Sequence, residues 1–564
     1  MRNPRTLFSR LRGLISLPSV LFGAALTLAL IVGRSIFFTN GFWFAFGSGS
    51  AFARSAGRAL LYFAVISTAA SLLMRWLSDD KYGLRDAVEP PTRLGTRVFL
   101  GETCRTFWFL WAVILICWVP CLLAYWPGIF SYDITTSLIQ GDGHGYNQMQ
   151  PLLYTLFVKA VYGMTSSGGV EASILGMSIA QMLGMSALFA SIVWRLNRMR
   201  VHATLRGLSL VWFALYPSIP IFALAETKDT IFAGVFALVT LDMIKLSRDP
   251  AEFFAKVRRP IVLGVLLLLL GLLRNNGILV LVLLVLVVVL QHKSWLPVFK
   301  KLLAVVSGAV IATITVTQLL YPALGVAGMM SRLMISVPVQ QIAFVYAVDK
   351  QGMTQKDQDA VNYWILQNID HNFNPRLADL LVLYTRDVGF NRPSAGFLAA
   401  WVRVGLSHPA AYSQAFLSAT LQSWYPGSAF PDQYARRDYI ETYIGSQSGV
   451  IRESKAPAVL GFYQSIAVKA SWQHIPVISL LFDTAVPLWF LLFGVALAAA
   501  RKRRRDMIVY LMPLALIATI MLGPVINGRY MLPFFVSYPL WLIPMLSRRP
   551  DVVTEAVRFR QDDS

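Results

Sequence analysis

The sequence predicts an all-α fold, a polytopic membrane helical bundle of about 12 transmembrane helices carrying a mostly helical extracytoplasmic domain. Three observations predict it. First, hydrophobic residues make up 56% of the 564 and charged residues only 14%, whereas a soluble domain carries roughly 25% charge. Second, the apolar residues lie in long blocks; segment 278–290 holds no charge at all. Third, the net charge of +21 is carried by short segments between those blocks. That is the positive-inside pattern of a membrane protein rather than a nucleic-acid surface.

The apolar blocks fall at about 15–33, 58–74, 106–125, 171–194, 207–224, 230–246, 260–273, 277–291, 302–320, 475–499, 507–525 and 531–546. A spanning helix needs about 20 such residues. The seventh and eighth blocks are short and meet at Arg274-Asn275-Asn276-Gly277, which predicts a tight helical hairpin with its tip at membrane depth. With the N-terminus placed in the cytoplasm, inner segments carry 31 Lys and Arg, and short outer loops and span ends carry seven. That asymmetry places both termini in the cytoplasm of an inner-membrane protein. The N-terminal block has a basic flank but reads as a retained first span, since a second block follows closely. The chain divides into 1–104, an N-terminal pair of spans with a basic loop, and 105–320, a core with an outer loop at 126–170. Then follow 321–474, an extracytoplasmic domain, and 475–564, three spans and a tail. Stretch 396–424 reads as one long amphipathic helix, and 152–163 as a short helix lying along the outer interface.

Ionisable groups at span ends are the informative residues of such a chain. Four outer clusters stand out. The first is Tyr125-Trp126-Pro127-Gly128-Ile129-Phe130-Ser131-Tyr132-Asp133. Trp126 and Tyr132 suit interface anchors, and Asp133 suits a cap for the helix that follows. The second is Glu226-Thr227-Lys228-Asp229, either a solvated turn or two carboxylates and a lysine facing a wet cavity. The third is Arg274-Asn275-Asn276-Gly277. An arginine at membrane depth needs a permanent partner; a lipid phosphate, Glu226 or Asp229 would serve. The fourth is Asn527-Gly528-Arg529-Tyr530. Arginine suits phosphate because its planar fork makes two parallel charge-assisted bonds.

Motifs in order along residues 105–545 carry a family resemblance. They are Pro127-Gly128 with Ser131-Tyr132-Asp133, Gln150-Pro151-Leu152-Leu153-Tyr154-Thr155, Lys228-Asp229 and Arg274-Asn275-Asn276-Gly277. Pro338-Val339-Gln340-Gln341, His408-Pro409-Ala410-Ala411-Tyr412 and Arg529-Tyr530-Met531-Leu532-Pro533 complete the set. The set resembles the type C glycosyltransferases (GT-C), integral membrane enzymes that use polyprenyl-phosphate-linked sugars, and among them bacterial members of unassigned substrate. Two departures stand beside it. The large outer loop normally follows the first span and here follows the third. Related sequences often have His-Pro where this chain has Gln150-Pro151.

The resemblance implies an inverting transfer of a sugar from a polyprenyl-phosphate-linked donor to a glycan, lipid or protein acceptor outside the membrane. Asp133 matches the essential acid of the first large outer loop and would take the acceptor's proton. Arg274, Arg529 and Lys228 would hold the donor phosphate, with Glu226 and Asp229 as supporting acids. Trp126, Tyr132, Gln150, Gln340 and Gln341 would line the sugar or acceptor pocket. No cofactor is certain from the resemblance, and a divalent metal stays open. No Asp-x-Asp pair adjoins Asp133 to hold a divalent metal, the six histidines show no metal-ligand spacing, and Cys117 and Cys121, one helical turn apart in an apolar block, read as packing residues rather than a disulfide or a metal site. Two competing classes share the outer charges: a multi-span transporter or lipid flippase, and an envelope polysaccharide polymerase or ligase. The chain halves show no inverted repeat of the transporter kind.

Overall fold

Long apolar sequence in lipid must satisfy its backbone internally, and a helix does this within one segment. The computed structural model describes residues 16–41, 48–79, 83–86, 98–141, 145–328, 331–366, 368–386, 392–427, 449–450, 453–467 and 471–548, and they are overwhelmingly helical. Among them, six helical stretches are long and apolar enough to cross a membrane: Leu17–Thr39, Gly49–Ser78, Cys104–Ala124, Leu152–Arg198, Lys228–Arg248 and Phe299–Ala323. Ala203–Leu215 and Ser218–Leu224 together make a seventh candidate, bent by 50°. The bend falls at Tyr216-Pro217, where the proline ring disfavours helical geometry in the residue before it. The remaining apolar blocks form Arg258–Leu273, Gly277–Leu290, Val486–Ala500, Met507–Met521 and Gly528–Leu546.

Side-chain contacts sort the connections into two ends. At one end Asp86 binds Arg248 (2.8 Å) and accepts from Ser547 Oγ (2.5 Å), and Asn197 donates to the Phe99 carbonyl (2.9 Å). Arg501 reaches the Leu77 carbonyl there, and Arg505 donates to that of Ser294 (2.9 Å). A two-residue parallel ladder pairs Leu84–Arg85 with Ser547–Arg548. These are the segments that the basic asymmetry grouped on one side. At the other end lie Asn40, residues 125–141 and 145–150, Ala225–Asp229, Arg274–Asn276 and Pro524–Arg529, and a second helical body covers part of it.

Lys228–Arg248 and Gly528–Leu546 pack along each other and are both deeply buried. Gly528–Leu546 contains Pro533, Pro539 and Pro544. Proline deletes the N–H that would bond four residues back, so Pro539 leaves the Phe535 carbonyl without its helical donor. Trp212 supplies one instead, its indole N–H lying 2.8 Å from that oxygen. Leu152–Thr165 turns back at Ser166–Gly168 and packs on Gly169–Arg198. Val158, Val161, Ile174 and Met177 form that contact together with Phe130.

The second body has its own core of Val339, Ile342, Trp364, Leu381, Phe397 and Val404. Arg403 closes on Asp357 at 2.7 Å. The body meets the bundle where Ala378 N donates to the Pro524 carbonyl (2.9 Å) and Arg376 to that of Phe37 (2.9 Å). The expected single helix over 396–424 is two helices, Arg392–Ser407 and Pro409–Ala419, followed by a 3-10 turn at Leu421–Ser423. Pro409 sits at the first position of the second helix and holds His408 out of helical geometry at φ −129°. The expected block 475–499 becomes helical only at Val486, after 3-10 turns. Block 302–320 ends in a π-helical stretch, Thr315–Leu320.

Candidate anion site at the helix N-termini

The site is assembled from three chain reversals. Loop Ala225–Thr227 precedes Lys228–Arg248, and its strands of contact run sideways. Glu226 N donates to the Ile129 carbonyl (3.1 Å), and Ile129 N to that of Leu224 (3.4 Å). Gln181 Nε2 donates to the Ala225 carbonyl (2.7 Å) and Ser178 Oγ to that of Leu224 (3.3 Å). Gly128 permits this approach. A Cβ built there would stand 2.0 Å from Ser178 Oγ.

Thr227 is the N-cap of Lys228–Arg248 and accepts from Asp229 N (3.4 Å). Its hydroxyl also lies 3.2 Å from Asp229 Oδ2, which fixes that carboxylate in the first helical turn. Asn527 caps Gly528–Leu546 in the same way, accepting from Tyr530 N (3.4 Å). The two central helices therefore start side by side, and Lys228, Asp229 and Arg529 stand at their positive ends.

The third reversal is the hairpin Arg258–Leu273/Gly277–Leu290, with Arg274 at its tip. The turn is so tight that a Cβ on Gly277 would lie 2.1 Å from the Leu270 carbonyl. Asn276 Nδ2 donates to Thr519 Oγ1 (3.0 Å), and Asn275 Nδ2 to the Gln148 carbonyl (3.2 Å). The tip is thus pinned to Met507–Met521 on one side and to the 145–150 loop on the other.

Arg274 Nη1 lies 3.0 Å from Asp229 Oδ1, an ion pair by distance without the alignment of a hydrogen bond. Arg529 Nε stands 3.9 Å from Asp229 Oδ2. Asp229 is fully buried, and the two arginine side chains are about a tenth exposed. Tyr530 lies against both cations, its ring centroid 4.5 Å from Arg274 Cζ and 5.1 Å from Arg529 Cζ; Phe232 faces Arg274 at 5.4 Å. Aromatic faces stabilise cations where water is scarce. Lys228 Nζ, less buried, donates to Gln150 Oε1 (2.5 Å). Glu226 faces away, toward Tyr162, whose hydroxyl donates to both carboxylate oxygens (2.9 and 3.1 Å). Burial pushes the Glu226 carboxyl well above the usual carboxylate range, and the Tyr162 bond opposes that shift.

The sequence-predicted residues therefore separate. Arg274, Arg529, Asp229 and Lys228 come together, with Gln150 on the lysine and Glu226 one turn of loop away. Trp126 donates to Glu171 Oε1 (3.3 Å) at the start of Gly169–Arg198. Gln340 and Gln341 make their bonds inside the second body, Gln340 to the Asn374 carbonyl (2.9 Å) and Gln341 to that of Tyr412 (3.3 Å). The side chains of Tyr132 and Asp133 lie outside the described residues, as do Asp142, Gly143 and His144. The backbone at 133 is helical, and the N-cap of Tyr132–Ile139 is Ser131. Asp133 is therefore a first-turn residue and not the cap that the sequence suggested. Tyr162, Phe232 and Tyr530 went unassigned in the sequence. Their signal, aromatics bordering a charged motif, is common to interface anchors.

Among the described residues no three His, Cys, Asp or Glu side chains gather in a metal-binding group. Two guanidinium groups and two helix N-termini meet around one carboxylate, Asp229, with Lys228, the preceding residue, held by Gln150; that excess of positive charge suits an oxyanion, phosphate above all. No curated protein matches the chain, and no solved structure does. Residues 144–558, which include all of this cluster, match the family of unknown function DUF6020, and the chain belongs to that family.

Proposed function

We propose that this chain is a GT-C-like membrane glycosyltransferase that moves a sugar from a polyprenyl-phosphate-linked donor to an extracytoplasmic acceptor. The observation that carries the reading is the meeting of Arg274 and Arg529 on Asp229 at the N-termini of the two central helices, where Lys228 opens the first of them. Fixed cations at that place stabilise the negative charge that grows on a leaving phosphate. The chain crosses the inner membrane about twelve times, with both termini cytoplasmic and the arginine cluster outside. Support comes from the 31-to-seven basic asymmetry and from contacts that sort the connections into two ends. The domain over 321–474 stands over the acceptor side.

Asp133 is the base. Its backbone lies four residues beyond Ile129, which bonds to Glu226 N. It takes the acceptor hydroxyl's proton as the oxygen attacks the anomeric carbon, while the phosphate leaves with the bonding electrons of the broken C–O bond. The purified chain in proteoliposomes, given polyprenyl-phosphate sugars and membrane acceptors, is expected to transfer labelled sugar. Asp133→Asn keeps a near-isosteric side chain and loses the proton acceptor, so transfer falls roughly 10²–10⁴-fold. Parental turnover by Asp133→Asn overturns the assignment of the base. Absence of transfer from every polyprenyl-phosphate sugar overturns the function.

A further inference from the structure

At the end opposite the arginine cluster, two helices finish alike. After Gly169–Arg198, Arg200 N donates to the Asn197 carbonyl (2.9 Å) and Val201 N to that of Leu196 (3.3 Å). After Val486–Ala500, Lys502 N donates to Ala499 (3.0 Å) and Arg503 N to Ala498 (2.9 Å). Both closures put their pivotal residue in left-handed backbone, Arg200 at φ 53° and Lys502 at φ 58°. Glycine normally holds that place because a Cβ is strained there. The helix Leu17–Thr39, at the other end, closes on Asn40 at φ 51°, a residue type that tolerates the conformation. Lys502 and Arg200 instead keep long cationic side chains against the backbone preference.

The loop after Val486–Ala500 reads Arg501-Lys502-Arg503-Arg504-Arg505, and its outer members are fastened. Arg501 donates to the Leu77 carbonyl and to that of Pro544 (3.2 Å). Arg505 donates to the Ser294 carbonyl (2.9 Å). The three between them, Lys502, Arg503 and Arg504, are exposed. The two anchor points, Leu77 and Ser294, lie within two residues of exposed Arg75 and Lys293. Exposed apolar side chains flank the group, Trp76 at 48% and Leu296 at 69%. Cations interleaved with an indole and a leucine, at the ends of apolar helices of which Gly49–Ser78 is long enough to cross a membrane, match a headgroup layer: phosphate outside, glycerol and acyl carbons beneath.

We propose that this corner, centred on Lys502, Arg503 and Arg504, is a binding site for the phosphate headgroups of anionic phospholipids. It stands apart from the donor site and does not depend on it. The two anchored arginines tether both ends of the loop, so less backbone freedom remains to be lost when a headgroup binds.

The test uses the full chain purified in neutral detergent. Bound lipid is counted by native mass spectrometry during titration with phosphatidylglycerol or phosphatidylcholine. The parent is expected to retain phosphatidylglycerol preferentially. Lys502→Gln/Arg503→Gln/Arg504→Gln is expected to bind it roughly 100-fold more weakly, from about fivefold per surface cation. Lys502→Gly separates binding from folding: glycine relieves the left-handed strain, so heat stability stays level or rises while lipid affinity falls about fivefold. Parental affinity in both variants overturns the proposal, as does equal retention of phosphatidylcholine. Complete displacement of phosphatidylglycerol by millimolar inorganic phosphate also overturns it, since the site would then take the free anion.

Discussion

Asp229→Asn tests the charge at the heart of the cluster. The carboxylate is fully buried, 3.0 Å from Arg274 and 3.9 Å from Arg529. At an effective dielectric of about 20, those distances correspond to direct attractions of about 5.5 and about 4 kcal/mol. Desolvation of the three groups offsets much of this. The measurable quantity is the cost of leaving buried guanidinium groups facing a neutral amide, about 3–5 kcal/mol for one lost partner. Over 564 residues, with an unfolding entropy of about 2.1 cal/mol/K per residue, that lowers the apparent Tm by roughly 3–4 °C. The assay is thermal unfolding in neutral detergent, followed by tryptophan fluorescence. Asp229→Asn/Arg274→Gln removes one orphaned cation and is expected to recover about 0.5–3 kcal/mol relative to Asp229→Asn alone. An Asp229→Asn protein that melts with the parent, or a double variant less stable than the single, would refute the reasoning.

Two further outcomes are expected. Glu226 binds its proton more tightly folded than unfolded, so the parent loses stability as pH rises above the ordinary carboxylate value toward the raised folded one. Glu226→Gln removes that slope, and melting profiles from pH 5 to 8 that stay parallel in parent and variant contradict it. For sidedness, single cysteines at Gly143 and Gln447 should react with an impermeant thiol reagent applied from outside, in a background without Cys104, Cys117 and Cys121, while one at Arg503 is spared. Labelling at Arg503 alone inverts the topology.

Much of the site was legible because lipid makes charge conspicuous. Arg274 sits between apolar runs, and the need for a permanent partner follows from desolvation alone; Asp229 and Glu226 were the acids on the same predicted side. Which acid would serve was not legible. The choice depends on Thr227, which orients Asp229 inward, and on Tyr162, which draws Glu226 aside. Tyr162 sits in an amphipathic helix whose pattern reports burial and not hydrogen-bond partners. The break at His408 was readable in principle, since proline after a helical run restricts the residue before it. The apolar periodicity on both sides masked it. Gln340 and Gln341 show the reverse problem. A glutamine pair near a membrane surface suits a sugar, yet backbone carbonyls within the second body satisfy the same donors.

The indole of Trp212, bonded to the carbonyl that Pro539 leaves open, has a consequence for the order of biogenesis. Gly528–Leu546 cannot complete its own ladder, so in hydrocarbon it would carry an open acceptor until Ala203–Leu215 lies beside it. Ribosomal synthesis makes Ala203–Leu215 more than 300 residues earlier (|i−j| = 323 for the bonded pair). Gly528–Leu546 therefore enters a membrane in which its missing donor already waits. The N-terminal half acts as a template for the C-terminal helix, and Arg529 reaches Asp229 only after that helix has been received.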